Sequence, residues 1–318
     1  MGKAAVSDQR KTSFKTRLAK DFRQYRGAYL MLLPVLLYYL IFCYKPMFGI
    51  VIAFKNFSPR KGIFGSPWAG SYGFEHFIKF FQSYYFTRVL TNTLTISLSS
   101  LILCFPIPII FALLLNEVQS KWFRKTIQTV SYMPYFISLV VVCSMIRLFV
   151  GSHGFVLQLL APFGFDPDIS LLNNPNAFVP IYLISDIWQN TGWNCIIYLA
   201  ALAGIDQELY EVAKTDGAGR FKQTLHVTLP GIAGTVILLL ILRMGSVLNV
   251  GYEKIILLYN DYNLEKSDVI SSFVYRKGLV NGDYSYSAAV GLFNSIINFA
   301  MVVIANKISN KVSGYGIW

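Results

Sequence analysis

Six apolar runs, each close to the length that crosses a bilayer, constrain this chain more than any other feature. A membrane helix needs about 20 predominantly apolar residues. Runs of that order lie at Ala28–Tyr44, Leu90–Leu115, Val130–Val150, Phe178–Leu202, Ile232–Leu258 and Ala288–Ile308, the fourth being the most polar. A chain this long could bury a large soluble core, but soluble domains carry roughly 25% charged residues. Here 54% of the 318 residues are hydrophobic and only 14% charged. The reading is an all-α integral membrane protein: a leader over 1–27, a domain of six transmembrane helices over 28–308, and a tail over 309–318.

Lys and Arg near the span ends set the orientation. The leader holds Lys3, Arg10, Lys11, Lys15, Arg17, Lys20, Arg23 and Arg26. On the same side fall Lys121, Arg124, Lys125, Lys214, Arg220, Lys222, Lys307 and Lys311. The opposite side has Lys45, Lys55, Arg60, Lys61, Lys79, Arg88, Lys254, Lys266, Arg276 and Lys277. Both termini are therefore expected in the cytoplasm, with 45–88 as an aromatic-rich external segment. The net charge of +12 follows largely from this bias and from contact with anionic headgroups; it calls for no nucleic acid. Lys45-Pro46 follows the first run with no small-residue cleavage site, which reads as an uncleaved anchor. Cys43, Cys104, Cys143 and Cys195 lack C-x-x-C spacing, and His76, His153 and His226 are scattered, so neither a disulfide framework nor a metal site is indicated.

The connection Gly204–Pro230 has the densest chemistry. Asp206 is a good N-cap, and Glu208 suits the positive end of the helix that follows. That helix should stop near Asp216-Gly217, where glycine takes the left-handed conformation. A second short helix from about Arg220 should end before Pro230, which would open the fifth span. Taken alone, the first helix also suits an amphipathic segment lying on the membrane surface.

Spacing decides between these. Glu211, Val212 and Ala213 are followed by three residues, Gly217, nine residues and Val227-Thr-Leu-Pro230, with Asp216 and Ala218 flanking the glycine. This resembles the EAA loop of bacterial ABC-importer permeases, with Val212 in place of the first Ala and Val227 in place of Ile. The motif spans constrained positions over some twenty residues, far more than a single glycine signature. Tyr44-Lys-Pro-Met-Phe-Gly-Ile-Val-Ile-Ala-Phe54, Asn92-Thr-Leu, Gln128-Thr-Val-Ser-Tyr-Met-Pro-Tyr-Phe-Ile-Ser138 and Ser313-Gly-Tyr-Gly-Ile-Trp318 are similar to the carbohydrate-uptake branch, in particular its LplB-type polysaccharide and oligosaccharide permeases. The resemblance implies a MalF-like, type I importer permease fold whose coupling helix (Glu211, Ala213, Asp216, Gly217, Ala218) docks on an ATPase. It also implies a second homologous permease, two cytoplasmic ABC ATPases using ATP and Mg, and an external solute-binding lipoprotein that delivers an oligosaccharide for import. The chain has no G-x-x-x-x-G-K-[ST] phosphate loop, so it is expected to be a non-catalytic subunit with no cofactor of its own.

Polar residues inside membrane helices are costly and usually face a bundle interior or a cavity. Arg243, Ser246, Asn249 and Glu253 step by three or four, as do Ser287, Gly291, Asn294 and Asn298; the fourth run offers Asp186, Gln189, Asn190, Trp193 and Asn194. Amides and aromatic faces suit a sugar. The expected pathway set is Gln189, Asn190, Trp193, Asn194, Arg243, Asn249, Asn294 and Asn298, with Glu253 as a partner for Arg243. Interhelical hydrogen bonding would use the same residue types. An ion- or proton-coupled secondary transporter of a small polar solute is the alternative; it would need a relay of intramembrane acids, and Asp186 is the one acid in the interior of a run.

Overall fold

The computed structural model describes residues 22, 24–314, 316 and 317. The leader cations up to Lys20, together with Arg23, lie outside them, as do Tyr315 and Trp318. Among the described residues the secondary structure is helical apart from one isolated bridge, Lys55 to Trp68. Five helical stretches are long and apolar enough to cross a membrane: Arg26–Phe54, Tyr84–Glu117, Leu139–Phe163, Arg220–Met244 and Tyr284–Val312. The fourth expected span, the one remaining, is a continuous helix of 26 residues, Phe178–Ala203. Its polar residues keep it below the hydropathy of the other five.

In chain order, α1 (Arg26–Tyr38) continues through a π-turn (Tyr39–Tyr44) into a 3-10 turn ending at Phe54. Short α2 (Glu75–Phe81) precedes α3 (Tyr84–Leu103) and α4 (Pro106–Glu117). Amphipathic α5 (Lys121–Tyr132) leads to α6 (Leu139–Val150), and a connecting segment leads to α7 (Phe178–Ala203). The loop helix α8 (Gln207–Thr215) is followed by α9 (Arg220–Met244), α10 (Tyr252–Leu258), α11 (Ile270–Tyr275) and α12 (Tyr284–Ser313).

Proline explains most departures from six straight rods. Pro134 divides the expected third span, ending α5 in a 3-10 turn before Ser138 and α6. Pro106 opens α4 after a turn at Cys104-Phe105. Pro46 and Pro230 each follow a π-turn, Tyr39–Tyr44 and Thr224–Thr228. A proline lacks the N–H and crowds the carbonyl four residues back, and the wider i→i+5 turn relieves both. The expectation of a separate short helix ending before Pro230 is thus corrected: α9 runs through the proline.

The fifth run also ends earlier than expected. It breaks at Gly245 rather than continuing to Leu258, because α12 lies against it there: a Cβ on Gly245 would sit 2.5 Å from Val302 Cγ2. α7 forms the centre, packed on α3, α4, α5 and α9. Gly192 lets it reach α5 so closely that a Cβ would overlap the Ser131 carbonyl. One core (Ala112, Leu115, Cys195, Tyr198, Leu202, Ile232) joins α4, α7 and α9 near the loop; another (Ile96, Phe178, Tyr182, Ile255, Leu258, Val269) closes the opposite end.

Candidate functional site

The loop Gly204–Pro230 builds itself from local contacts. Asp206 Oδ1 accepts from the Glu208 N–H at 3.0 Å and starts α8. At the other end Gly217 has φ +74°, the Ala218 N–H donates to Ala213 O at 2.9 Å, and the Gly217 N–H donates to Lys214 O at 3.0 Å. These are the two bonds of a Schellman cap, and its left-handed position is why a glycine stands there. Ala213 and Ala218 are the half-buried closure of that cap, while Glu211, Asp216 and Gly217 are exposed. Leu209, Val212 and Phe221 are also exposed, leaving an apolar surface that nothing among the described residues covers. Tyr210 points inward, its hydroxyl 3.0 Å from Thr228 Oγ1, which ties α8 to the π-turn of α9.

At the level of the α9 break the helices leave a polar groove of about 620 Å³ between α3, α7 and α9. Asn190, Asn194, Arg243 and Asn249 line it, with Ser97, Ser100, Tyr182, Asp186 and Ser246. Arg243 does not pair with Glu253 as the spacing predicts; its Nη2 donates to Ser100 Oγ at 3.0 Å. The expectation that residues 243–253 share one helical face also fails, since α9 stops at Met244. The broken segment is instead held from α12: Asn249 Oδ1 accepts from Asn294 Nδ2 at 2.8 Å and Asn298 Nδ2 at 3.1 Å, and Asn298 Oδ1 accepts from the Leu248 N–H at 3.0 Å.

Four residues of the expected set lie outside this lining: Asn294 and Asn298, which hold Asn249 from α12, and Gln189 and Trp193. Gln189 is buried and its amide donates to Ile137 O at 3.4 Å. Trp193 stacks on Tyr135, centroids 4.5 Å apart and planes 4° from parallel. Sequence reasoning missed Lys254, which it counted as a loop cation. Lys254 is 4% exposed, its Nζ 3.9 Å from Asp186 Oδ1 and donating to Tyr182 O at 3.2 Å. Asp186 also accepts from Asn190 Nδ2 at 2.8 Å. An acid relay is not what this geometry provides: Asp186 is the one carboxylate on the lining and is held by a cation and an amide.

A second, shallower groove of about 510 Å³ opens between α10, α11 and α12. Tyr252, Tyr275 and Tyr284 line it with Ser287, Gly291 and Asn294, and Tyr252 stacks on Tyr275 at 5.8 Å. Ser287 Oγ and Asn294 Oδ1 are buried and have no hydrogen-bond partner. Next to it Asp268, fully buried, is gripped by Arg88 at 3.3 Å and by Arg276, and accepts from Ser272 Oγ at 2.9 Å. Arg88 and Arg276, also counted as loop charges, are thus structural.

These features have relatives. The model of the family described as "Binding-protein-dependent transport system inner membrane component" matches residues 104–314. "Polygalacturonan/rhamnogalacturonan transport system permease protein YteP" of Bacillus subtilis (strain 168) is 41% identical over 304 residues, 96% of this chain and 94% of that one. "Protein LplB" of the same organism is 44% identical over 290 residues, 91% of this chain and 90% of its own. A chain of a bacterial alginate ABC transporter, solved in complex with alginate pentasaccharide-bound periplasmic protein, superposes with a TM-score of 0.86 at 42% identity, covering 95% of this chain and 100% of that one. The chain belongs to the family of binding-protein-dependent transport system inner membrane components: it is a multi-pass membrane permease with the type I ABC importer fold, a translocating subunit and not an enzyme.

Proposed function

We propose that this permease imports an oligosaccharide handed over by an external solute-binding lipoprotein, forming half of a pathway completed by a second, homologous permease. Two cytoplasmic ABC ATPases, using ATP and Mg, drive it through α8. Both termini lie in the cytoplasm: with Lys254 buried and Arg88 and Arg276 engaged by Asp268, fewer free cations remain on the opposite side, which strengthens the inside bias. The exposed Leu209, Val212 and Phe221 beside the Gly217 cap offer the ATPase an apolar surface on a rigid helix end.

The observation that carries the transport reading is a pair of buried, unpartnered atoms, Ser287 Oγ and Asn294 Oδ1, on residues that line a groove walled by tyrosines. Buried polar atoms without partners cost about 1–3 kcal/mol each, so turning these side chains into the groove onto a ligand's hydroxyls is repaid, and tyrosine rings cover the C–H faces of a sugar. The exposed polar lining of the first groove, Asn190, Asn194, Arg243 and Asn249, belongs on the same water-filled route, since lipid would not tolerate it. The double substitution Ser287→Ala, Asn294→Ala is expected to lower ATP-driven oligosaccharide uptake by the reconstituted complex about tenfold, the loss of roughly one such hydrogen bond. Uptake at the unmutated rate would remove this assignment.

A further inference from the structure

The two charged side chains lining the first groove, Asp186 and Arg243, are not equivalent. Asp186 is neutralised from behind: Lys254, whose side chain is 5% exposed and does not line the groove, sits 3.9 Å from its Oδ1. The lysine is fixed there by the Tyr182 carbonyl at 3.2 Å and by the face of the Tyr182 ring at 4.6 Å. Arg243 has no such balance. Its one hydrogen bond from the guanidinium goes to the neutral Ser100 hydroxyl, and among the described residues no carboxylate lies within ion-pair distance. A guanidinium offers five N–H donors in a planar fork, so most of this fork faces the groove unused. The groove therefore presents a net single positive charge and a planar donor fork, beside the amides of Asn190 and Asn194.

We infer that this groove is a subsite for a carboxylate-bearing sugar residue, a uronate, whose carboxylate docks on Arg243 and whose hydroxyls meet Asn190 and Asn194. The inference rests on the saccharide-import reading above and adds the charge class of the cargo. Paired, parallel N–H to oxygen bonds make Arg the natural partner of a carboxylate. A neutral sugar would leave the fork empty.

Cys104 lines the same groove and serves as a native reporter; Cys143 and Cys195 are buried, and Cys43 is removed by Cys43→Ser. The complete importer, in nanodiscs of phosphatidylcholine, is labelled at Cys104 with a negatively charged sulfonatoethyl and a positively charged trimethylammonioethyl methanethiosulfonate. The ratio of the two rates cancels the thiol's own reactivity. It is expected to favour the anionic reagent, to fall about tenfold in Arg243→Gln, to survive Arg243→Lys, and in the unmutated groove to decline as salt rises. Trigalacturonate is expected to slow labelling, and the neutral galactotriose to leave it unchanged. A ratio indifferent both to Arg243→Gln and to salt overturns the anion site. Equal protection by the two trisaccharides overturns the uronate assignment. A charge-sensitive ratio with protection by neither leaves an anion site and overturns the saccharide reading on which the assignment rests.

Discussion

The loop Gly204–Pro230 and the groove between α3, α7 and α9 are both polar interruptions in an apolar chain, yet they are held in opposite ways. The bonds that start and cap the loop helix are short-range: Asp206 to Glu208, Ala218 to Ala213, Thr215 to Glu211; Tyr210 to Thr228 then ties it to α9 within the same loop. The groove is shaped by side chains reaching between helices far apart in the chain, Arg243 to Ser100 and Asn298 to Leu248. A locally capped element keeps its shape when the elements around it move, which suits a lever. A surface assembled from separate helices changes whenever they shift, which suits a pathway that must open and close.

Mutations in the long-range part should therefore cost the fold, and mutations in the loop should cost coupling. The largest effect is expected at Asp268, whose side chain is fully buried between Arg88 and Arg276. Asp268→Asn leaves two half-buried guanidinium groups without their carboxylate and is expected to destabilise the permease by about 3 kcal/mol, read as a sharply lowered thermal transition of the purified complex. Gly192→Ala comes next. The added methyl meets the Ser131 backbone, which cannot move out of the way as a side chain would, and overpacking of this kind costs about 1–3 kcal/mol; an unchanged melting temperature would refute the close α5–α7 crossing. Tyr210→Phe should be mildest. It removes the 3.0 Å link to Thr228, worth about 0.5–1.5 kcal/mol, and hydrogen exchange should rise at the π-turn while the rest of α9 stays protected.

The same contrast explains how much could be read from residues alone. The spans were legible because bilayer thickness imposes a length on any apolar run, and the loop because a helix cap is written in adjacent residues. Gly217 announces its own left-handed position. Lys254 could not announce its burial: nothing near it in the chain signals that α9 breaks at Gly245 and turns the lysine toward Asp186, 68 positions earlier. The pairing of Arg243 with Ser100 rather than with nearby Glu253, and the exclusion of Gln189 and Trp193 from the groove, are tertiary facts for the same reason. Ser287, Gly291 and Asn294 were found by spacing since α12 is one unbroken helix; Tyr252 and Tyr275 joined them only through the fold. The π-turns before Pro46 and Pro230 needed the backbone itself, because a proline in an apolar run announces a disturbance without saying whether the helix stops or widens.

The most direct test of the whole account is the number of oligosaccharide molecules moved per ATP hydrolysed by the reconstituted complex carrying Gly217→Val. At φ +74° a β-branched residue cannot sit without distorting the cap, while nothing in the membrane domain touches that position. The account predicts a permease that inserts at the unmutated level, an ATPase that still hydrolyses, and a transport-to-hydrolysis ratio lowered about tenfold or more. A ratio equal to that of the unmutated complex would contradict it.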